Sequence, residues 1–360
     1  MSFTSQHNVK RKILLILKVL NSLQKPAGSV VIAKLLKERG VELSERAVRY
    51  HLKLTDEQGL TQLVRGRDGR IITEKGLHEI QSALVVDKVG LSISRIEQLA
   101  YRTSVDLENL NGLVPVNISF FSEDTFPDAV RSMSPIFENG FCVSNLIAVA
   151  GGGQYLGDVL VPEGNIGLAT VCSIVVNGAL LKAGIPMDSR FGGILQLQNH
   201  KPVRFTEMIY YNGSSLDPSE IFIKARMTSV RDAATTGDGE ILANFREIPA
   251  ICQPLAERIV QNLRNAGFNG VLVTGNVSEN ICEISIDLNR IGIILVGGLN
   301  PVAAAAEAGI EVENRSMSSV IEYRKLVSYR EALNEIRKIP ARGYSDNGKN
   351  KKSSQVLQQI

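Results

Sequence analysis

Residues 291–315, IGIILVGGLNPVAAAAEAGIEVENR, repeat the pattern of residues 166–190, IGLATVCSIVVNGALLKAGIPMDSR. The two stretches align without a gap at an offset of 125 (291 against 166). Ile166/Ile291, Gly167/Gly292, Val171/Val296, Ala179/Ala304, Ala183/Ala308, Gly184/Gly309, Ile185/Ile310 and Arg190/Arg315 coincide. Upstream, ENGF (138–141) answers NAGF (265–268) at an offset of 127. Agreement at both ends marks two copies of one unit, over about 115–215 and 240–328. Each copy reads as helix, Gly-Phe turn, strand, Gly-containing turn, strand, second helix, AGI turn and last strand. This predicts an α/β body, residues 115–330, built as a tandem repeat. Residues 291–310 approach the roughly 20 apolar residues that span a bilayer. Gly297, Gly298, Asn300, Pro301 and Glu307 interrupt them, so a buried strand followed by an Ala-rich helix is the better reading.

Two copies of a unit pack about a pseudo-two-fold axis, and the cleft between them is the natural small-molecule site. The segment that joins them, KARMTSVRDAATTGDGEILANFREIPA (224–250), carries Thr235, Thr236, Asp238, Glu240, Asn244, Arg246 and Glu247. Two readings of it stay open: a polar cluster that faces a ligand, or a surface crossover with a helix-free turn at TGDGE. GGGQYLG (151–157) is not a dinucleotide fingerprint and reads as a tight turn. No phosphate loop, HExxH or Ser-His-Asp set is present, and no catalytic constellation emerges. Cys142, Cys172, Cys252 and Cys282 form no CxxC, which argues against zinc and for reduced thiols in a cytoplasmic protein. The N-terminus MSFTSQHNVKRK lacks a signal-peptide core.

The net charge of +3 conceals a split: residues 1–84 carry +7 and residues 85–360 carry −4. A basic module on a slightly acidic body suits a nucleic-acid-binding head. Within residues 1–84, VKRKILLILKVLNSLQ (9–24), SVVIAKLLKERG (29–40) and SERAVRYHLKLTDEQGL (44–60) have helical apolar stripes. LTQLVRGRDGRIITEKG (60–76) has a hairpin signal at Asp68-Gly69. Three helices and a basic hairpin make a winged helix-turn-helix. On the third helix Arg46, Arg49, Tyr50 and Lys53 share one arc, as a groove-reading face requires. Arg65, Arg67 and Arg70 on the wing are placed to meet phosphates or the minor groove. His51 falls toward the packed side and reads as structural. Residues 85–114 form a connecting segment. Its helix has an apolar face at Ile93, Ile96, Leu99 and Ala100, suited to transmit movement or to pair with a second copy. Residues 331–360 read as a C-terminal helix and a disordered tail.

The order SERAVRYHL, LAYRTSVDL (99–107), GDGEILANFREIPA (237–250) and GGLNPVAAAAEAGI (297–310) resembles the NrpR family of archaeal nitrogen-regulation repressors. Those proteins join a ribonuclease-R-type winged helix to an NrpR regulatory domain. The resemblance covers about 330 of the 360 residues and is to the form with one regulatory domain. It implies a homodimer that binds double-stranded operator DNA, represses nitrogen-assimilation genes and is released by 2-oxoglutarate. It implies no catalytic residue, metal or cofactor, and no membrane. A dianion needs cationic or N–H donors. Arg190, Arg246 and Arg315, with Thr236, Asp238 and Asn244, are the candidate ligand-binding set. The alternatives are an adaptor that partners a second NrpR-type protein, and a metabolic enzyme with a regulatory head.

Overall fold

The computed structural model describes residues 3–23, 25–38, 41–64, 69–82 and 91–337. The chain divides into two units between residues 89 and 90.

The first unit runs α1 (Phe3–Leu23), α2 (Ser29–Glu38), α3 (Glu45–Glu57), β1 (Thr61–Leu63), β2 (Arg70–Ile72) and α4 (Glu74–Ser82). Apolar residues at helical spacing meet in one core: Ile16 and Leu20 from α1, Ile32 and Leu36 from α2, Val48 and Leu52 from α3. The Ser44 side chain accepts from Ala47 N at 3.2 Å and starts α3. β2 pairs with β1 on one side. On its other side, Ala27 and Arg70 exchange two backbone hydrogen bonds of 3.0 Å. Gly69 makes this approach possible. Its φ is +101°, and a Cβ there would sit 2.3 Å from the Ala27 carbonyl carbon. The small sheet so formed is the base of the wing. The expected wing tip, with Arg65 and Arg67, lies outside the described residues.

The second unit opens with α5 (Leu91–Arg102). The first repeat then runs β3 (Leu113–Ser122), α6 (Phe126–Glu138), β4 (Leu146–Gly151), a small hairpin of β5 (Tyr155–Leu156) and β6 (Val159–Leu160), β7 (Asn165–Val171), α7 (Ile174–Lys182) and β8 (Asp188–Gln198). A crossover of β9 (Lys201–Tyr210), α8 (Pro218–Lys224) and α9 (Val230–Thr236) follows. The second repeat runs β10 (Gly239–Pro249), α10 (Gln253–Asn265), β11 (Val271–Thr274), β12 (Arg290–Val296), α11 (Asn300–Glu307) and β13 (Glu313–Glu322). β14 (Val327–Ser328) and α12 (Tyr329–Arg337) close the described chain.

The strands form two five-stranded sheets, ordered β13-β3-β7-β4-β14 and β11-β12-β10-β8-β9. Every pairing between these strands is antiparallel. Each repeat lends its last strand to the other repeat's sheet: β8 pairs with β10, and β13 with β3. Helix packing is reciprocal in the same sense, with α6 against α11 and α7 against α10. Two buried clusters result. One includes Phe126, Val130 and Met133 of α6 with Val302 and Ala303 of α11. The other includes Val175 and Val176 of α7 with Val260 and Leu263 of α10. Small residues on α11 let the helices come close, which is why an Ala-rich run serves here.

Three expectations change. Each repeat begins with a strand, β3 or β10, ahead of its first helix. Residues 224–250 are a surface crossover only in part: the turn at TGDGE is helix-free at Gly237 and Asp238, as that reading had it, but residues 239–249 form β10, flanked by β8 and β12. Backbone pairing on both edges satisfies its polar groups, so a sequence dense in Asn, Arg and Glu lies buried. The apolar face of α5 packs within its own unit, where Ile96, Leu99 and Ala100 join Cys172, Ile174, Tyr211 and Met317. That face is therefore not free to pair with a second copy. The runs at 166–181 and 291–310 are a strand followed by a helix, as expected. Among the described residues no helix is long and apolar enough to cross a membrane.

Candidate functional site

Two sites emerge, one in each unit. In the first, α3 presents Arg46, Arg49, Tyr50 and Lys53 to solvent, and Val48, His51, Leu52 and Thr55 are buried behind them. Arg49 pairs with Glu45 one turn back, and Lys53 lies 4.0 Å from Glu57. These are exposed pairs that a phosphate or base can displace at small cost. His51 is buried, and burial first, then Lys12, lowers its pKa. That keeps it neutral and structural. Arg70 differs from the four residues on α3. Its Nε donates to Asp56 at 2.6 Å, and Asp56 also accepts from Thr61 at 2.6 Å. The pair braces the wing against α3.

In the second unit, both sheets send residues to one cavity where the repeats meet. β3 supplies Asn117, β10 supplies Asn244 and Arg246, and β13 supplies Met317. The starts of α7 and α11 reach it through Ser173 and Ile174, and through Gly298 and Leu299. Tyr211 and Asp217 complete it from the crossover. Asn117 and Asn244 stand at equivalent places, 127 residues apart (244 against 117), near the midpoints of the interior strands β3 and β10. Each ties its strand to an adjoining element. Asn117 Oδ1 accepts from Met317 N at 3.0 Å, and Asn244 Nδ2 donates to Ser173 Oγ at 3.2 Å. Gly298 is fixed by closeness: a Cβ there would lie 2.6 Å from both Asn117 Nδ2 and the Val171 carbonyl oxygen.

Arg246 dominates the electrostatics. It is 1% exposed. One Nη donates to the Phe245 carbonyl at 3.1 Å, and the guanidinium lies 4.8 Å over the Tyr211 ring. Its Nε has no hydrogen-bond partner, and among the described residues it forms no ion pair. An unpaired buried cation is expensive by several kcal/mol. Two helix N-termini, each carrying a partial positive charge, open toward the same space, with the Val175, Val176 and Asn300 N–H groups already turned onto backbone carbonyls. Neither the α7 nor the α11 N-terminus has a side-chain cap. The cavity is thus built for negative charge. Tyr211 donates to Asn244 Oδ1 at 2.5 Å, and burial pushes its phenol up to about 12. Burial likewise pushes the Cys172 thiol up to about 12. Both stay neutral.

Of the six residues expected to hold a ligand, the structure brings Asn244 and Arg246 together here. Arg190 instead lies beside Asp188 at 3.3 Å and Glu247 at 3.9 Å. Arg315 lies 2.9 Å from Glu313 and over the Phe120 ring. Thr236 and Asp238 sit at the end of α9 beside the β8–β9 hairpin, where Asp238 accepts from Asn199 N at 2.7 Å. Tyr211, Asp217, Ser173 and Gly298 were missed. The Cys172-Ser173 and Gly297-Gly298 steps, matched across the repeats, were the signal: each sits at a strand-to-helix turn.

Residues 89–328 match the family described as NrpR regulatory domains NRD1 and 2, and residues 14–80 match the ribonuclease R winged-helix domain. The chain is 37% identical over 318 residues to global nitrogen regulator NrpRI of Methanosarcina mazei, covering 88% of this chain and 98% of that one. It is 35% identical over 295 residues to global nitrogen regulator NrpR of Methanococcus maripaludis, covering 82% of this chain and 51% of the relative. It therefore spans nearly all of the first relative and about half of the second. The crystal structure of a nitrogen repressor-like protein from Methanococcus jannaschii shares the fold, with TM-score 0.56 and 24% identity, over 67% of this chain and 98% of that one. A winged-helix head and a duplicated body around a buried cationic cavity define a DNA-binding regulator of transcription. The chain belongs to the NrpR family.

Proposed function

We propose that this chain is a nitrogen-responsive repressor that binds operator DNA as a homodimer and lets go when 2-oxoglutarate occupies the cavity around Arg246. The names of the relatives support nitrogen regulation. The observation that carries the effector is the buried, unpaired Arg246 set between two helix N-termini. One carboxylate of a dianion meets the guanidinium, and the other lies at the positive ends of α7 and α11. The stripe on α3 reads DNA.

The cavity itself suggests the coupling. It encloses about 20 Å³, room for a water or two and not for a five-carbon dicarboxylate. Entry requires the walls to move. Met317, a wall residue, is held at φ +48°, a conformation that costs a non-glycine residue energy. It packs in one cluster with Ile96, Leu99 and Ala100 of α5, as do Cys172, Ile174 and Tyr211. α5 is the first described element after the head. A ligand that spreads these walls displaces α5, and a two-headed protein loses the half-site spacing that DNA demands.

A gel shift on the chain's own promoter region, with and without 2-oxoglutarate, tests the proposal. Retarded DNA that is released by the effector is expected. Retardation that the effector leaves unchanged would refute the switch.

A further inference from the structure

Two buried charges of opposite sign line the cavity, and neither has a counter-ion. Arg246 is one. Asp217 is the other: it is 7% exposed, caps α8 by accepting from Ser219 N at 2.9 Å, and among the described residues pairs with no Lys or Arg. The two do not pair with each other. A buried guanidinium without an ion partner is costly and marks a place where a ligand charge belongs, and Asp217, held by the first N–H groups of α8, lines the same cavity with a carboxylate that no cationic side chain answers. A dicarboxylate answers Arg246 and leaves Asp217 facing a like charge. A ligand with a carboxylate and an ammonium on the same carbon answers both.

We propose that the cavity also takes an α-amino acid, with its carboxylate at Arg246 and the helix N-termini and its ammonium at Asp217, in competition with the 2-oxo acid. This rests on reading the cavity as the effector site. A 2-oxo acid and its amino acid differ only at the second carbon, which bears a neutral acceptor in one and a cation in the other. Asp217 is the group that reads that difference. Ionised, it holds the ammonium; protonated, it donates to the oxo oxygen. Burial, and after it Glu220, pushes its carboxyl up to about 6, so both forms are within reach. The neighbouring groups do not compete for the role. Tyr211 and Cys172 stay neutral, and Glu220 Oε1 is occupied by Ser316 N and Ser316 Oγ, both at 2.7 Å. A regulator with this site responds to the balance between an oxo acid and its aminated product, not to the oxo acid alone.

The test is calorimetry on the full chain near neutral pH, with 2-oxoglutarate and L-glutamate titrated singly and in competition. Asp217→Asn is the variant, since Asn still accepts from Ser219 N. Both ligands are expected to bind and to displace one another. The variant should weaken L-glutamate by about tenfold or more, the scale of one charge-assisted hydrogen bond, and leave 2-oxoglutarate equal or tighter. Binding of 2-oxoglutarate without L-glutamate would overturn the inference and leave the proposed function standing. Binding of L-glutamate alone would support the inference and overturn 2-oxoglutarate as effector. Equal L-glutamate affinity in the variant would remove Asp217 from the site, and silence with both ligands would overturn both readings.

Discussion

The Tyr211 hydroxyl donates to Asn244 Oδ1 at 2.5 Å, and the same Asn244 amide donates to Ser173 Oγ. One side chain thus ties the crossover to the central strand of the second repeat and to the first turn of α7. Tyr211→Phe leaves a buried amide oxygen unsatisfied. It should lower stability by about 1–3 kcal/mol in urea unfolding. A variant as stable as the parent would show that this tie contributes nothing.

Arg246→Met should separate function from stability. A structural cation in an ion pair would lose about 3–5 kcal/mol on truncation. An unpaired cation kept for a ligand should not, because its removal also removes a burial cost. We expect equal or higher thermal stability together with loss of 2-oxoglutarate binding by calorimetry. A large fall in melting temperature would mark Arg246 as structural.

Asp217 sets a pH dependence. Its carboxyl is raised from 3.8 to about 6, with desolvation the first cause. The folded state therefore binds the proton more tightly than the unfolded state. Stability conferred by that proton is present at low pH and is lost as pH rises through about 6. Asp217→Asn should abolish this component and stabilise the protein by about 1–3 kcal/mol near neutral pH. Parallel stability curves for the two proteins between pH 4 and 7 would contradict it.

On α3, Arg46 and Arg49 belong to one exposed face. Arg49→Ala should cost about 1–3 kcal/mol of operator affinity if it reads a base, or weaken all sequences and flatten the salt slope if it meets a phosphate. An Arg46/Arg49 double substitution that changes neither quantity would rule out this face. Arg70→Ala should act differently, loosening the wing through loss of Asp56 pairing, and should lower the melting temperature of the head.

Leu99 is 3% exposed on the α5 face that packs with Cys172, Ile174, Tyr211 and Met317. Leu99→Ala should cost about 2–5 kcal/mol through the void it leaves. It should keep 2-oxoglutarate binding and shrink the release of DNA by the effector. Release of the parent's size would place the coupling elsewhere.

The duplication, the winged helix and the basic face of α3 were legible because they are local. Periodicity at 3.6 residues, caps such as Ser44 and a gapless offset need no knowledge of the third dimension. Residues 291–310 could be read as strand then helix for the same reason: Gly-Gly and Pro break the run chemically. What the sequence could not show is partner choice. β8 pairs with β10 and with β9, not with β3, β4 or β7, and that exchange goes with the long-range packing of α6 on α11 and α7 on α10. It turns GDGEILANFREIPA from a polar joining segment into a buried central strand. It also decides that Arg246 faces the cavity while Arg190 and Arg315, equivalent in sequence, meet acidic neighbours at Asp188 and Glu313. Sequence determined which residues carry charge. Only the tertiary structure decided which of those charges lack a partner, because pairing is a property of distance and burial and not of order along the chain.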